Sequence, residues 1–164
     1  MELLDKLARE MVLVNRGDPK RVQHFLKVRE FAHLIAVGEG LDEKSRFTLE
    51  TAALVHDIAI RRCELIYGSC DGKLQEREGP ALARELLTAL EFEPDVTERV
   101  CFLVGHHHTY NQIDGLDYQI LVEADFLVNL YEDEASEQAV ETALERIFRT
   151  KTGRELCQAQ FWAV

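Results

Sequence analysis

Along most of this chain apolar residues recur three and four positions apart, the period of a helix that buries one face. Leu4, Leu7, Ala8 and Met11 mark a first helix, which stops at Asn15, Arg16 and Gly17, where glycine can take the left-handed conformation. Asp18 followed by Pro19 reads as an N-cap with proline at the first helical position, opening a second helix with Phe25, Val28, Ala32 and Ile35 on its stripe. Gly38 and Gly40 end it. Asp42 caps a third helix through Phe47, Leu54 and Ile58. Its later half, residues 52–60, is apolar on every side except at His56 and Asp57, as in a helix buried inside a bundle.

Over residues 63–78 the period dissolves around Tyr67, Gly68 and Gly72, which predicts a loop suited to a lid or a pocket rim. Gly79 and Pro80 open a fourth helix through Leu82, Leu86, Leu87 and Leu90. Pro94 and Asp95 open a fifth through Val96, Val100, Leu103 and Val104, with His107 one turn farther along that stripe. After a polar loop at residues 111–117, residues 118–130 form another apolar helix, interrupted by Glu123, Asp125 and Asn129. Ser136 caps a helix through Val140, Ala143, Leu144, Ile147 and Phe148, and Lys151, Thr152 and Gly153 separate it from a short last helix. With no hairpin signature, internal repeat or low-complexity tract, the pattern predicts an all-α fold.

The length of 164 residues suits one domain, taken as residues 1–164. With 46% hydrophobic and 30% charged residues the chain is apolar enough to fold alone. A net charge of −11 repels DNA and RNA, so no polymeric nucleic acid is expected as a partner. A small anionic substrate stays open, because a bound cation can reverse the potential inside one pocket. Cys63, Cys70, Cys101 and Cys157 form no C-x-x-C pair and read as reduced thiols. No leader-like apolar run or membrane-length stretch is present, which points to the cytoplasm and to no membrane partner. Oligomeric state is not legible, and a homodimer stays open.

His24 shares a face with Val28 and Phe31, His56 and Asp57 interrupt an apolar run, and Asp125 lies in another. An ionised carboxylate in such surroundings either raises its pKa or finds a cation. Taken singly, a core histidine is more often a hydrogen-bonded structural residue and an aspartate more often an N-cap. Jointly, two imidazoles and two carboxylates drawn from separate helices make a shared divalent cation as good a reading as four separate structural roles. Adjacent residues on a helix diverge by about 100°. One ion reached by both His56 and Asp57 must therefore sit between their directions, near the backbone.

These residues resemble a known signature. His24 followed by Val28 and Ala32, a glycine-containing break, the run Ala52, Ala53, Leu54, Val55, His56, Asp57, Ile58, and later Glu123, Ala124, Asp125, Phe126, Leu127 are similar to the H…HD…D pattern of the HD-domain superfamily. The resemblance covers roughly residues 20–130 in consistent order, leaving residues 131–164 as C-terminal helices. It implies an all-helical bundle in which His24, His56, Asp57 and Asp125 hold one divalent metal ion, with Mn, Fe, Co, Ni, Zn and Mg as candidates. It further implies a metal-dependent phosphohydrolase that cleaves a small phosphate ester, nucleotides among them, by metal-activated water. Asp57 would then be both ligand and catalytic residue.

In the triplet His106, His107 and His108, His107 is expected to face inwards, His106 is the next candidate, and His108 belongs at the rim. Relatives with two metals carry an extra histidine where this chain has Glu76 and Glu78, which favours a single ion with His107 and Glu78 close to its ligands or to the substrate. Arg61, four residues after Asp57, is a candidate for binding a substrate phosphate, its alternative being a surface arginine at a helix end. Asn129, four residues after Asp125, is expected to reach the same pocket, while the acidic run 132–134 reads as a solvated loop. Two other functions stay open: a module that senses a nucleotide without hydrolysing it, and a di-iron oxygenase on the same fold, disfavoured by the glutamate at the histidine position.

Overall fold

Five helix starts in this protein coincide with side-chain oxygens that receive free backbone amides. The computed structural model describes residues 1–163. In them the helices are α1 (Leu3–Val14), α2 (Pro19–Gly38), α3 (Glu43–Val55), α4 (Ile60–Tyr67), α5 (Gly72–Ala89), α6 (Pro94–Val104), α7 (Leu116–Glu132), α8 (Glu137–Arg146) and α9 (Lys151–Phe161). Asp18, Asp42, Asp71, Ser136 and Thr150 accept from the amides of Arg21, Ser45, Leu74, Ala139 and Gly153 at the starts of α2, α3, α5, α8 and α9. Each such cap contributes about 1 kcal/mol. Gly17 and Gly40, with φ of 86° and 72°, turn the chain after α1 and α2 in a conformation that costs other residues energy.

The all-α expectation holds, with no strand among the described residues. Helix α3 lies at the centre and packs against α1, α2, α6 and α7, while α2 also packs along α7. Val28, Ala32, Ile35, Leu49, Ala52, Ala53, Leu121, Ala124 and Leu127 are wholly buried where these helices meet. Each large apolar side chain withdrawn from water contributes about 1.5–3 kcal/mol, and the alanines let the backbones approach closely. No helix among the described residues is long and apolar enough to cross a membrane.

Several element boundaries depart from the hydrophobic pattern, and the loop expected over residues 63–78 is mostly helical, occupied by the end of α4 and the start of α5. Helix α3 ends at Val55, and residues 56–59 form a tight turn before α4. There the amides of Ile58 and Ile60 bond back three residues, to Val55 at 2.9 Å and Asp57 at 3.1 Å. Helix α5 starts at Gly72, inside the expected loop, and contains Pro80 in its interior rather than starting there. Its inner face is Gln75, Gly79, Ala83 and Leu87, so its first half turns an amide and a glycine to the core and gives no apolar period. A Cβ on Gly79 would lie 2.6 Å from the Val104 side chain, which explains the glycine where α5 meets α6. Lys151, Thr152 and Gly153, expected as a separator, are the first turn of α9. Helix α8 stops at Arg146 because the Glu123 carboxylate draws the Arg149 and Thr150 amides out of the helical ladder.

Candidate metal centre

The turn between α3 and α4 removes the constraint that adjacent residues on a helix diverge. It lets His56 and Asp57 aim at one point, which His24 reaches from α2 and Asp125 from α7. His24 Nε2 lies 3.3 Å from His56 Nε2, 3.4 Å from Asp57 Oδ2 and 3.2 Å from Asp125 Oδ1. His56 Nε2 lies 3.4 Å from Asp57 Oδ2 and 3.5 Å from Asp125 Oδ1. His107, in the turn after α6, brings its Nε2 to 3.5 Å from Asp57 Oδ1. With metal–ligand bonds of about 2.0–2.2 Å, neighbouring ligands of one cation sit roughly 3.0–3.5 Å apart, the spacing among His24, His56 and Asp57 and between Asp125 and the two rings.

The hydrogen bonds on the far side of each ring fix what the near side can offer. His56 Nδ1 donates to the Ala53 carbonyl at 2.7 Å, and His107 Nδ1 to the Val104 carbonyl at 2.8 Å, since a carbonyl oxygen can only accept. His24 Nδ1 faces the Glu132 carboxylate at 3.2 Å. In the neutral rings each Nε2 is therefore a bare lone pair directed at carboxylate oxygens, and the buried His107 Nε2 has no hydrogen-bond partner. Ring nitrogens of His24 and His56 gathered with carboxylate oxygens of Asp57 and Asp125, and with His107 Nε2 against Asp57 on its other side, fit a cation.

Electrostatics in the protein alone carries the same message. Burial opposes charge on His56 and His24, but Asp57 beside the first and Asp125 beside the second outweigh it, so both imidazoles titrate above their ordinary value. Burial likewise opposes ionisation of Asp57 and Asp125, and the surrounding histidines hold both carboxyls below the usual carboxylate range. The site favours positive charge between its ligands. Asp57 is the most exposed of the four, at 23% for its side chain against 0–9% for the others, so water reaches the cluster from its side.

The remaining candidates divide. Asn129 donates to Asp125 Oδ1 at 2.9 Å and orients that carboxylate. His106 turns away: its Nδ1 donates to the Phe102 carbonyl and its ring stacks on Phe102. Arg61 also departs from expectation, because its guanidinium caps α1 by donating to the carbonyls of Val14 and Arg16 at 3.1 and 2.9 Å. Glu78 is engaged by Tyr67 and Arg77. The glutamate that meets the histidine turn is Glu76, which accepts from the His108 amide and the Thr109 hydroxyl.

His108 comes closer than a rim position, since Asp57, His107 and His108 form a second group of mutually close ligand atoms beside that of His24, His56 and Asp57. Burial lowers its pKa to about 4, which keeps it neutral, and its Nε2 pairs with Gln75 Oε1 at 3.0 Å. The residue that sequence reasoning missed is Glu132, the last of α7. It stands seven positions after Asp125, two helical turns along the same face, so the period could have found it.

The model of the HD domain family matches residues 21–147 of this chain. The crystal structure of a predicted HD superfamily hydrolase from an uncultured Thermotogales bacterium superposes with a TM-score of 0.63 at 28% identity, covering 97% of this chain and 83% of that one. No curated protein shows significant similarity. A family match over most of the chain, on an all-helical bundle that gathers the histidines and aspartates of its signature, means that this chain belongs to the HD domain family.

Proposed function

We propose that the chain is a metal-dependent phosphohydrolase acting on a small phosphate ester, with nucleotides among the candidates, and that His24, His56, Asp57 and Asp125 hold its cation. The observation that carries this reading is the convergence of bare imidazole nitrogens and ionised carboxylates on one buried point. Its kinship with the HD superfamily hydrolase supports hydrolytic chemistry. A divalent cation there supplies Lewis acidity towards water and a phosphoryl group.

The chain's own residues do the rest. His24, His56 and Asp125 form the enclosed wall, and Asp57 stands at the open side with Oδ2 towards the two rings. Asp57 Oδ1 faces His107 instead, leaving this oxygen to orient the attacking water and hold its proton. The four cysteines are free thiols, as suits a reducing compartment, and we place the reaction in the cytoplasm.

A second reading has a specific observation in its favour: Asp57, His107 and His108 offer places for a second cation that shares Asp57 with the first. Metal analysis separates one ion per chain from two. The activity is tested by incubating purified protein with a panel of phosphate esters in each candidate ion. Phosphate release that requires the ion supports hydrolysis, and binding of a nucleotide without release identifies a sensor. Two irons per chain with no phosphate release would favour an oxygenase.

A further inference from the structure

We infer that an ion pair between Lys27 and Glu132 sets how tightly His24 binds the cation: Glu132 fixes the tautomer and direction of the ring, and Lys27 fixes Glu132. The inference rests on the metal-site reading and extends it to residues that touch no metal.

Of the three imidazoles at the centre, His56 and His107 are anchored by main-chain carbonyls, which no side-chain substitution removes. His24 is anchored by a side chain. Glu132 places Oε2 3.2 Å from His24 Nδ1 and Oε1 2.9 Å from Lys27 Nζ, so one carboxylate joins the ring to the ammonium. Lys27 follows His24 by three positions in α2, on the same face, and Glu132 follows Asp125 by two turns in α7. The contact therefore ties the two helices that bring His24 and Asp125 together.

A carboxylate that accepts from one imidazole nitrogen makes the other a better electron donor to a metal than a neutral carbonyl does. Glu132 closes α7, where the helix dipole disfavours negative charge, and its side chain is only 10% exposed. Lys27 supplies the countercharge that holds the carboxylate in place. The ammonium also lies 5.4 Å over the Tyr131 ring, which restricts its own motion.

The test uses cobalt(II) as probe, with metal-free protein titrated against a chelator and its visible absorption recorded. Glu132→Ala is expected to weaken cobalt binding about 10–100-fold and to alter the spectrum. Lys27→Met should weaken it about 3–10-fold, Lys27→Arg should stay within about twofold of the parent, and the double variant should be no weaker than Glu132→Ala alone. Lys27 is partly exposed, so its variants carry the test even where Glu132→Ala does not fold. A parent that binds cobalt while Lys27→Met and Glu132→Ala bind equally tightly with unchanged spectra overturns the inference and leaves the metal site standing. Strictly additive losses in the double variant overturn the coupling between the two residues. A parent that binds no cobalt overturns the metal reading itself.

Discussion

Glu123 and Asp125 lie two residues apart on α7, both buried, and their surroundings could hardly differ more. Two positions along a helix turn side chains about 200° apart, so the two carboxylates face opposite sides of the same helix. Glu123 is saturated by proton donors: the Gln119 amide at 2.7 Å, the backbone amides of Arg149 and Thr150 at 2.6 and 2.9 Å, and the Thr150 hydroxyl. Asp125 receives one such donor, Asn129, and otherwise meets the Nε2 atoms of His24 and His56, which in the neutral rings carry no proton. A buried carboxylate supplied with donors organises the fold. One surrounded by lone pairs calls for a cation.

Substitutions at the two sites should therefore fail in different ways. The largest effect is expected from Asp57→Ala, which removes both the proposed ligand at the open side and the proposed proton acceptor, and should cut phosphate release by about 10²–10⁴-fold in a steady-state assay. Asp125→Ala should weaken metal binding by more than about 100-fold, beyond the range of residues that only support a ligand. Its metal-free form should melt closer to the parent than Glu123→Ala does.

Glu123→Ala should do the reverse, keeping its metal in every molecule that folds. It strands the Arg149 and Thr150 amides and the Thr150 hydroxyl, at a cost of roughly 3–5 kcal/mol, seen by calorimetry as a melting point lower by about 6–15 °C. Gly153→Ala probes the same node more gently. A Cβ there would come within 1.9 Å of Glu123 Oε2, so the carboxylate must shift, for a loss of about 1–3 kcal/mol. Equal metal loss in the Glu123 and Asp125 variants would erase the distinction.

The smallest effect concerns a third kind of carboxylate. Asp114 is exposed and paired with Arg99, whose guanidinium holds its pKa below the ordinary value. A carboxyl with a lowered folded-state pKa adds stability above its unfolded pKa and loses it as pH falls through the folded value. Asp114→Asn should thus lower neutral-pH stability slightly and flatten the decline below about pH 4 by the same small amount, as chemical denaturation across pH would show.

Much of this was legible in the chain because the signals are local. The caps at Asp18, Asp42 and Ser136 and the glycines at 17 and 40 act within a few residues, and the structure uses all of them. The inward placement of His107 followed from the α6 stripe even though the helix stops at Val104. The break at residues 56–59 was not legible, because apolar residues continue through it and only the bonding partner changes, from four residues back to three. The first half of α5 escaped because its buried face there is Gln75 and Gly79. Arg61 sits one helical turn from Asp57 in sequence, yet the carbonyl end of α1 lies nearer and claims it. Such a contact depends on how distant helices pack, which spacing does not encode.

The measurement closest to the central claim is a calorimetric titration of metal-free protein with manganese(II), zinc(II) and cobalt(II), run beside a His24→Ala, Asp125→Ala double variant. Saturable binding by the parent, with loss of that binding in a variant that keeps its helical circular dichroism, is the result expected. Equal binding by both proteins, or none by either, would contradict the assignment of His24, His56, Asp57 and Asp125 to one cation.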